Sequence, residues 1–383
     1  MITLIKNIHV YAPEAMGKKD ILIAGGAIER VENEINLNSE YVEIIDGKGA
    51  LAVPGYMDQH VHVTGGGGEN GFRSRVPEIG FSEFVNAGIT TAVGLLGTDS
   101  QTRSLEALLA KTRALVAEGM SAYMLTGAYQ YPSPSILSTV KDDVAFFPEV
   151  IGVKIALADH RASRVDEKIL EELGSQARVG GMLGEKAGIV TIHMGEGKKG
   201  LSALLRAIEN SDLPARHFIP THVNRSKRLW EETLGHVQAG GFADLSAGMG
   251  KDAKLEPRRL IAEAKAKGIA LDRITISSDG NGSWSEYDEN GRLTSFGAAS
   301  VNTLHSQVKS LVQEEGFQLS EALPFVTSNV AAALQLTGKK GCLREGADAD
   351  ILLLTPELDI DSVFMKGRPV MREKEILAKG SFE

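Results

Sequence analysis

Two histidines separated by a single residue, His60 and His62, follow an apolar run and precede four consecutive glycines at positions 65–68. On an extended strand the side chains alternate between the two faces, so both imidazoles project to the same side and can reach one metal ion. The pair supplies only half of a metal site, because two histidines on any exposed strand face would have the same spacing. Further ligands must therefore come from distant parts of the chain.

The elements that would position such ligands form a repeating pattern after Pro54. Strand-like runs alternate with longer helical stretches about every 25 to 40 residues, which is the spacing of successive βα units. The predicted strands end near residues 62, 97, 127, 155, 194, 222, 247 and 279, and helical patterns cover 102–119, 164–173 and 257–268. Eight parallel units predict an α/β fold in which the strands close into a (β/α)8 TIM barrel.

The two ends of the chain have a different pattern. Short strand-like segments lie at 3–10, 20–24, 27–31 and 41–45, and again at 351–354 and 363–370 after a helical pattern at 328–336. We therefore predict that both ends pair in one small β-sandwich domain. The expected organisation places residues 1–54 and 338–383 in this small domain and residues 55–337 in the barrel.

Barrel enzymes carry their chemistry at the carboxyl ends of the strands, so the residues at these ends are the candidates for a site. Five of the predicted strands end with side chains that bind metals or transfer protons. They are His60, His62, Lys154, His193, His222 and Asp279. Four histidines, a lysine and an aspartate converge on one rim, and this pattern predicts a metal centre.

In the type and order of these six residues the chain resembles the amidohydrolase superfamily, over nearly its whole length and including the split β domain. Within that superfamily it is similar to the subfamily that cleaves isoaspartyl dipeptides. The segments that carry this similarity are 58–69, 126–129, 152–156, 159–161, 221–225 and 278–283. The resemblance implies a metal-dependent hydrolase that splits the β-aspartyl peptide bond of dipeptides.

The resemblance also implies a centre of two divalent metal ions. Lys154 would bridge them as a carbamate formed with carbon dioxide, because a carbamate has two anionic oxygens whereas an ammonium binds no cation. Zinc is the expected ion, although a ligand set rich in nitrogen and free of sulfur also suits cobalt, manganese or nickel. The implied ligands are His60, His62 and Asp279 for one ion, and His193 and His222 for the other.

An isoaspartyl dipeptide carries one free ammonium and two carboxylates. Glu69 fits the ammonium, and Arg161 and Arg225 fit the carboxylates because a guanidinium matches a carboxylate bidentately. Which arginine binds which carboxylate stays open. Tyr129, at the end of the third strand, is placed to polarise the scissile carbonyl. The other candidates for substrate contacts are Gly67, Thr98 and Ser283.

In the implied reaction, a water activated by both metals attacks the amide carbonyl. One metal and Tyr129 stabilise the oxyanion that results. Asp279 takes up the proton of the water and delivers it to the departing nitrogen, so it acts as a proton shuttle.

Two other functions are compatible with parts of this pattern. A cyclic amide hydrolase similar to dihydroorotase or hydantoinase would keep the metal ligands, but its substrate has no free ammonium to pair with Glu69. A non-catalytic barrel that serves as an assembly module would have no need of Lys154 at the end of the fourth strand. Hydrolysis of the dipeptide is therefore the favoured interpretation.

The composition limits the partners that we expect. The chain of 383 residues is 43% hydrophobic and 24% charged, and its formal net charge is -9. An acidic protein without a basic stripe is not expected to bind nucleic acid or an anionic membrane surface. The single cysteine, Cys342, excludes an intrachain disulfide and, with no signal-like N-terminal segment, favours a cytoplasmic location. The resemblance implies a homo-oligomer.

Two features remain open between alternatives. The segment 279–297, which contains Trp284 and Tyr287, is long for a barrel loop and is predicted to be either a flap over the pocket or a disordered loop. His160, between Asp159 and Arg161, is either exposed or forms a hydrogen bond that orients a metal-binding residue.

Overall fold

Strands from both ends of the chain and from its middle build two large sheets. The computed structural model describes residues 2–248, 255–287 and 292–383. The strands are β1 (Ile2–Tyr11), β2 (Ala15–Ala24), β3 (Ala27–Glu32), β4 (Val42–Asp46), β5 (Leu51–Pro54), β6 (Tyr56–Val61), β7 (Ile89–Gly94), β8 (Ser121–Gly127), β9 (Val150–Leu157), β10 (Ile189–Met194), β11 (Phe218–Thr221), β12 (Ala243–Ser246), β13 (Ile274–Ser277), β14 (Ser283–Tyr287), β15 (Leu293–Ala298), β16 (Ile351–Leu354), β17 (Ile360–Met365), β18 (Arg368–Arg372) and β19 (Glu375–Ile376).

Helices follow most of the central strands. The α-helices are α1 (Phe81–Asn86), α2 (Leu105–Glu118), α3 (Val140–Phe146), α4 (Glu167–Gly184), α5 (Ser202–Glu209), α6 (Lys227–Gln238), α7 (Pro257–Ala266), α8 (Thr303–Gln313), α9 (Leu319–Ala322) and α10 (Ser328–Ala333). Within the described ranges, none of these helices combines the length and the apolar character that crossing a membrane requires.

The central strands form the predicted barrel. Strands β6 to β13 are hydrogen-bonded in chain order, and their pairings are parallel. The first and last strands meet where Val61 bridges Gly280 and the His62 N–H donates to the Gly280 carbonyl at 2.9 Å. Every residue of β6 and of β9 is buried, as expected for parallel strands covered by helices on their outer side. The prediction of a (β/α)8 barrel is confirmed.

Both ends of the chain contribute to the second sheet. Its nine strands run in the order β19-β18-β17-β16-β5-β1-β2-β3, and β4 pairs with β1. The two ends join where β16 runs antiparallel to β5, with Leu352 opposite Val53. This sheet has its own apolar core, which includes Ile5, Ile21 and Phe364. The prediction that the two ends build one small β domain is confirmed.

The helical patterns of the sequence correspond to helices whose ends differ from the predicted ones. Helix α2 begins after Ser104, whose side chain accepts the N–H of Ala107. Helix α4 continues to Gly184 rather than ending at 173. The reason is the role of Gly174, where an added Cβ would lie 2.7 Å from the Phe218 ring. This glycine therefore permits close packing of α4 on β11 and does not end the helix.

Two segments with a strand or loop prediction are hairpins in the structure. The single strand predicted at 363–370 is wrong, because β17 and β18 are separated by a turn at Lys366 and Gly367. Both turn residues have positive φ, 46° and 74°, as tight hairpin turns often require. Within the segment 279–297, which is predicted to be a flap or a disordered loop, residues 283–287 and 293–297 belong to the antiparallel hairpin β14–β15, and residues 288–291 lie outside the described part.

A buried lysine links the small sheet to the barrel. Lys340 Nζ lies 2.5 Å from Asp350 Oδ2, 2.7 Å from Asp348 Oδ2 and 2.6 Å from Ser121 Oγ, at the start of β8. Although burial opposes its charge, the two carboxylates raise the pKa of Lys340 above its ordinary value. The ammonium is therefore charged and depends on these partners.

We expect Asp350→Ala to destabilise the protein by about 3 kcal/mol, because removal of one partner leaves a buried charge poorly compensated. Denaturant unfolding monitored by fluorescence measures this change. The matched control is Lys48→Ala, since Lys48 pairs with Glu373 and both side chains are more than 70% exposed. That control should change stability by less than about 1 kcal/mol. Equal effects of the two substitutions would contradict a structural role for the buried cluster.

Candidate metal and substrate site

The structure brings the six candidate metal-binding residues together at one end of the barrel. His60, Lys154 and His193 lie on β6, β9 and β10, towards their carboxyl ends. The other three follow β6, β11 and β13 by one or two residues. They are His62, His222 and Asp279. All six converge because the parallel strands of a barrel end at the same rim.

Three of these residues have the spacing of ligands to a single ion. His60 Nε2 lies 3.6 Å and His62 Nε2 lies 3.3 Å from Asp279 Oδ1. One potential ligand atom from each of the three residues lies within 4.8 Å of the others. Two imidazole nitrogens and a carboxylate oxygen are a common donor set for zinc and other divalent ions.

The other two histidines continue the cluster. The His222 ring lies 4.7 Å from both the His60 ring and the His193 ring, measured between centroids. His222 Nδ1 lies 2.5 Å from Ser246 Oγ, and His193 Nε2 lies 2.9 Å from Asp159 Oδ2. A histidine that binds a metal usually uses its second nitrogen for such a hydrogen bond. These bonds leave Nε2 of His222 and Nδ1 of His193 as the nitrogens that a metal could use, although Nδ1 of His193 lies 2.6 Å from the Tyr129 hydroxyl.

Burial prepares these groups for metal binding. It lowers the pKa of His60, His193 and His222 well below the ordinary value, so their nitrogens keep the lone pairs that bind cations. Burial also lowers the pKa of Lys154 to about 7. A large fraction of this amine is therefore unprotonated near neutral pH, which is the form that reacts with carbon dioxide. The donor set therefore fits divalent metal ions.

Lys154 has no ion-pair partner among the described residues, so an ordinary buried salt bridge does not explain it. Its side chain is fully buried, and Nζ lies 3.0 Å from His60 Nε2. Unpaired buried ammonium groups are costly. This environment favours either a neutral amine or a covalent modification.

The backbone around two ligands adopts an unusual conformation. His222 and Asp279 have φ values of 62° and 54°, in the left-handed region that residues other than glycine seldom adopt. Beneath them, Asp58 Oδ1 accepts the N–H groups of His60 and Ser278, each at 3.2 Å. Asp58 thereby ties the first strand to the segment before Asp279. Strained backbone of this kind is concentrated at functional sites.

The structure adds Asp159, which sequence reasoning did not select. Its side chain is 4% exposed, and it accepts hydrogen bonds from His193 Nε2 at 2.9 Å, Arg161 Nε at 3.0 Å and Arg161 Nη2 at 2.8 Å. Although burial alone would raise it, these bonds hold the pKa of Asp159 well below its ordinary value. The neighbouring His160, which the sequence left as a candidate for such a role, has a side chain that is 90% exposed. The sequence signal was an acidic residue two positions before Arg161.

The two arginines differ in their available donors. The Nε and Nη2 edge of Arg161 is occupied by Asp159, and its Nη1 lies 3.6 Å from Glu69 Oε1. Its guanidinium carbon lies 5.5 Å from the centre of the Tyr129 ring. Arg225 Nε, by contrast, is buried without a partner among the described residues. Arg225 Nε is therefore a donor that remains for a carboxylate.

Tyr129 lies inside the cluster. Its hydroxyl is 2.6 Å from His193 Nδ1, and the side chain is 7% exposed. Burial raises the pKa of Tyr129 above its ordinary value, so the phenol keeps its proton. It can therefore donate a hydrogen bond to an oxygen that gains negative charge.

The remaining predicted substrate residues lie on the same rim. Ser283 Oγ lies 3.0 Å from both Glu69 oxygens, so it fixes this carboxylate. Thr98 Oγ1 is buried with no partner among the described residues. Position 67 needs glycine, because its φ is 85° and an added Cβ would lie 2.2 Å from the Ser74 carbonyl oxygen.

Most backbone N–H groups of the glycine loop, residues 65–68, donate within the protein. The N–H groups of Gly65, Gly66 and Gly68 donate to the carbonyls of His62, Asn281 and Ser74. The Gly67 N–H has no acceptor among the described residues. Among these four glycines, Gly67 therefore keeps a backbone N–H for its candidate substrate contact.

A barrel with these side chains at its rim defines a hydrolase of the amidohydrolase class. The sequence matches the model of the amidohydrolase family over residues 51–370, and the chain belongs to that family. It is similar in structure to a β-aspartyl dipeptidase from Fervidobacterium islandicum AW-1 in complex with the β-Asp-Leu dipeptide, with 38% identity, a TM-score of 0.92 and 98% of each chain covered.

More distant relatives share the fold or a segment. A D-hydantoinase from Bacillus sp. AR9 has a TM-score of 0.71 and 17% identity over 99% of this chain and 97% of its own, which shows the common fold alone. A dihydroorotase from Staphylococcus epidermidis is 35% identical over 95 residues, which are 25% of this chain and 22% of the relative. The chain thus matches about a fifth of the length of that dihydroorotase.

We expect Asp159→Ala to weaken zinc binding by about 10- to 100-fold, because His193 loses the carboxylate that orients its ring. Zinc content after dialysis against a graded series of chelator concentrations measures the loss. The matched control is His160→Ala, whose exposed side chain is adjacent in sequence. If both variants retain zinc as the wild type does, Asp159 does not support a metal ligand.

Proposed function

We propose that this protein hydrolyses the β-aspartyl peptide bond of isoaspartyl dipeptides. The observation that carries the proposal is the position of Glu69, a carboxylate fixed by Ser283 and lying 3.6 Å from Arg161 on the rim that holds the histidine cluster. Such a substrate is zwitterionic, with an ammonium and two carboxylates. An uncharged amide would require neither an anionic nor a cationic anchor beside the reacting bond. The similarity to the Fervidobacterium β-aspartyl dipeptidase supports the same substrate class.

We propose that the site holds two divalent ions, with zinc as the expected metal. His60, His62 and Asp279 would hold one ion, and His193 and His222 the other. Lys154, as a carbamate, would contribute to both. When bound, the ions would supply Lewis acidity and lower the pKa of a coordinated water.

The chain's own residues bind and orient the substrate. Glu69 accepts hydrogen bonds from the α-ammonium, and Arg225, with its free Nε, binds one carboxylate. Arg161 offers Nη1 to the second carboxylate while Asp159 keeps its other edge in place. The scissile carbonyl then lies between these anchors and the histidine cluster.

Two residues act on the reacting atoms. Tyr129 stays protonated and donates a hydrogen bond to the carbonyl oxygen as its negative charge develops. Asp279, whose side chain is 13% exposed at the mouth of the cluster, takes up a proton and passes it to the leaving nitrogen. Without this proton the amine would have to depart as an anion, which is a poor leaving group.

A cyclic amide is the alternative substrate. The chain matches a segment of a dihydroorotase and shares the fold of a D-hydantoinase, and both of these enzymes are cyclic amide hydrolases. The carboxylate of Glu69 argues against it. A ring amide brings no ammonium, so its binding would remove water from Glu69 without supplying a cation of its own.

The decisive experiment compares hydrolysis of β-Asp-Leu with that of α-Asp-Leu, dihydroorotate and hydantoin by protein prepared with zinc and bicarbonate. We expect rapid cleavage of β-Asp-Leu alone. The inactive control is Asp279→Asn, which keeps the shape of the side chain but cannot shuttle the proton. Cleavage of a ring amide in place of the dipeptide would overturn the proposal.

We expect Arg225→Met to lower kcat/KM for β-Asp-Leu by about 10- to 100-fold, mainly through KM, because a charged hydrogen bond to the substrate is lost. Steady-state kinetics separates the two parameters. The matched control is Arg228→Met, since Arg228 donates to the carbonyls of Gly197 and Lys198 and lies outside the cluster. Unchanged KM in Arg225→Met would remove this arginine from substrate binding.

A further inference from the structure

We infer that Phe296, on the hairpin β14–β15, lines the subsite for the side chain of the leaving amino acid and selects apolar leaving residues. This inference rests on the proposed dipeptidase function. It concerns the side chain of the leaving amino acid, for which Glu69 and the arginines provide no contact.

The hairpin begins in the site. Ser283, the first residue of β14, follows Asp279 by four positions, and its Oγ contacts Glu69 at 3.0 Å. An added Cβ on Gly66, in the glycine loop, would lie 3.1 Å from the Ser283 backbone nitrogen. The base of the hairpin therefore packs on the substrate rim, and the face that carries the Ser283 side chain is turned to the site.

The register places Phe296 on that same face. Ser283 pairs with Ala298 and Trp284 pairs with Gly297, with no register shift in this part of the hairpin. Paired residues of antiparallel strands project to the same side, and side chains alternate along each strand. Phe296 lies two positions before Ala298 and so shares the face of Ser283.

Trp284 lies on the opposite face. An added Cβ on Gly297 would be 2.6 Å from the Trp284 ring, as expected if the indole covers its cross-strand partner. The hairpin thus presents one aromatic side chain towards the site and another away from it. Substitution of Trp284 therefore provides a matched control for substitution of Phe296 in the same hairpin.

Phe296 is 49% exposed, so its ring has apolar surface available for a ligand. The aspartyl half of the dipeptide is held by charged groups, whereas a phenyl ring offers no hydrogen bond and gains only from apolar contact. When a leucine side chain covers this ring, the apolar surfaces of both the leucine and the ring are removed from water, which favours binding. A glycine leaving residue has no side chain and gains nothing from the ring.

The test compares kcat/KM for β-Asp-Leu and β-Asp-Gly. We expect the wild type to prefer β-Asp-Leu, and Phe296→Ala to lower its kcat/KM by about 5- to 20-fold while that for β-Asp-Gly changes less than about twofold. Phe296→Leu should keep most of the preference. Trp284→Ala should leave the ratio of the two rates unchanged.

The outcomes separate this inference from the proposed function. If the wild type is active and Phe296→Ala keeps its ratio of kcat/KM for β-Asp-Leu to kcat/KM for β-Asp-Gly, Phe296 does not select the leaving residue. The same conclusion follows if Trp284→Ala lowers this ratio as much as Phe296→Ala does. A wild type that cleaves neither peptide refutes the proposed function and this inference with it. Equal zinc content and thermal unfolding of the variants show that a changed ratio does not arise from misfolding.

Discussion

The burial of the Lys154 amine is the constraint on which the rest of the site depends. The barrel encloses this side chain completely, and no carboxylate within the described ranges pairs with it. Desolvation therefore favours the neutral amine and lowers its pKa to about 7. The same dry interior keeps the surrounding imidazoles neutral. One physical effect, the cost of charge in a low-dielectric interior, thus prepares the lysine and the histidines for metal chemistry.

Asp159 connects two parts of the site that have different tasks. Its Oδ2 accepts hydrogen bonds from His193 Nε2 and Arg161 Nη2, and its Oδ1 accepts one from Arg161 Nε. Because Arg161 also lies near the Tyr129 ring and Glu69, the positions of a metal-binding ring, a phenol and an anchoring guanidinium depend on a single buried carboxylate. Multiple charge-assisted hydrogen bonds hold such a carboxylate firmly, so it gives the rim a fixed geometry before any ligand binds.

Much of the fold and of the candidate site could be predicted from the sequence. The strand-end positions of His60, Lys154 and Asp279 follow from periodicity, because parallel strands in a barrel share one rim. The end of α4 could not be predicted, since Gly174 looks like a helix stop until Phe218 is seen to occupy the space of its side chain. The turn at Lys366 and Gly367 could not be predicted, because Lys366 stands where Asn, Asp or Gly usually precedes the glycine of such a turn.

The sequence by itself determined which chemical groups reach the rim of the barrel, because strand periodicity is a local property that fixes the direction of each side chain. Only the tertiary structure decided how these groups share their hydrogen bonds. It shows that Asp159 occupies one edge of Arg161, that Arg225 Nε remains for a carboxylate, and that the glycine loop uses most of its own N–H groups. Such pairings join residues from different strands and loops, so they depend on distances that no local pattern contains.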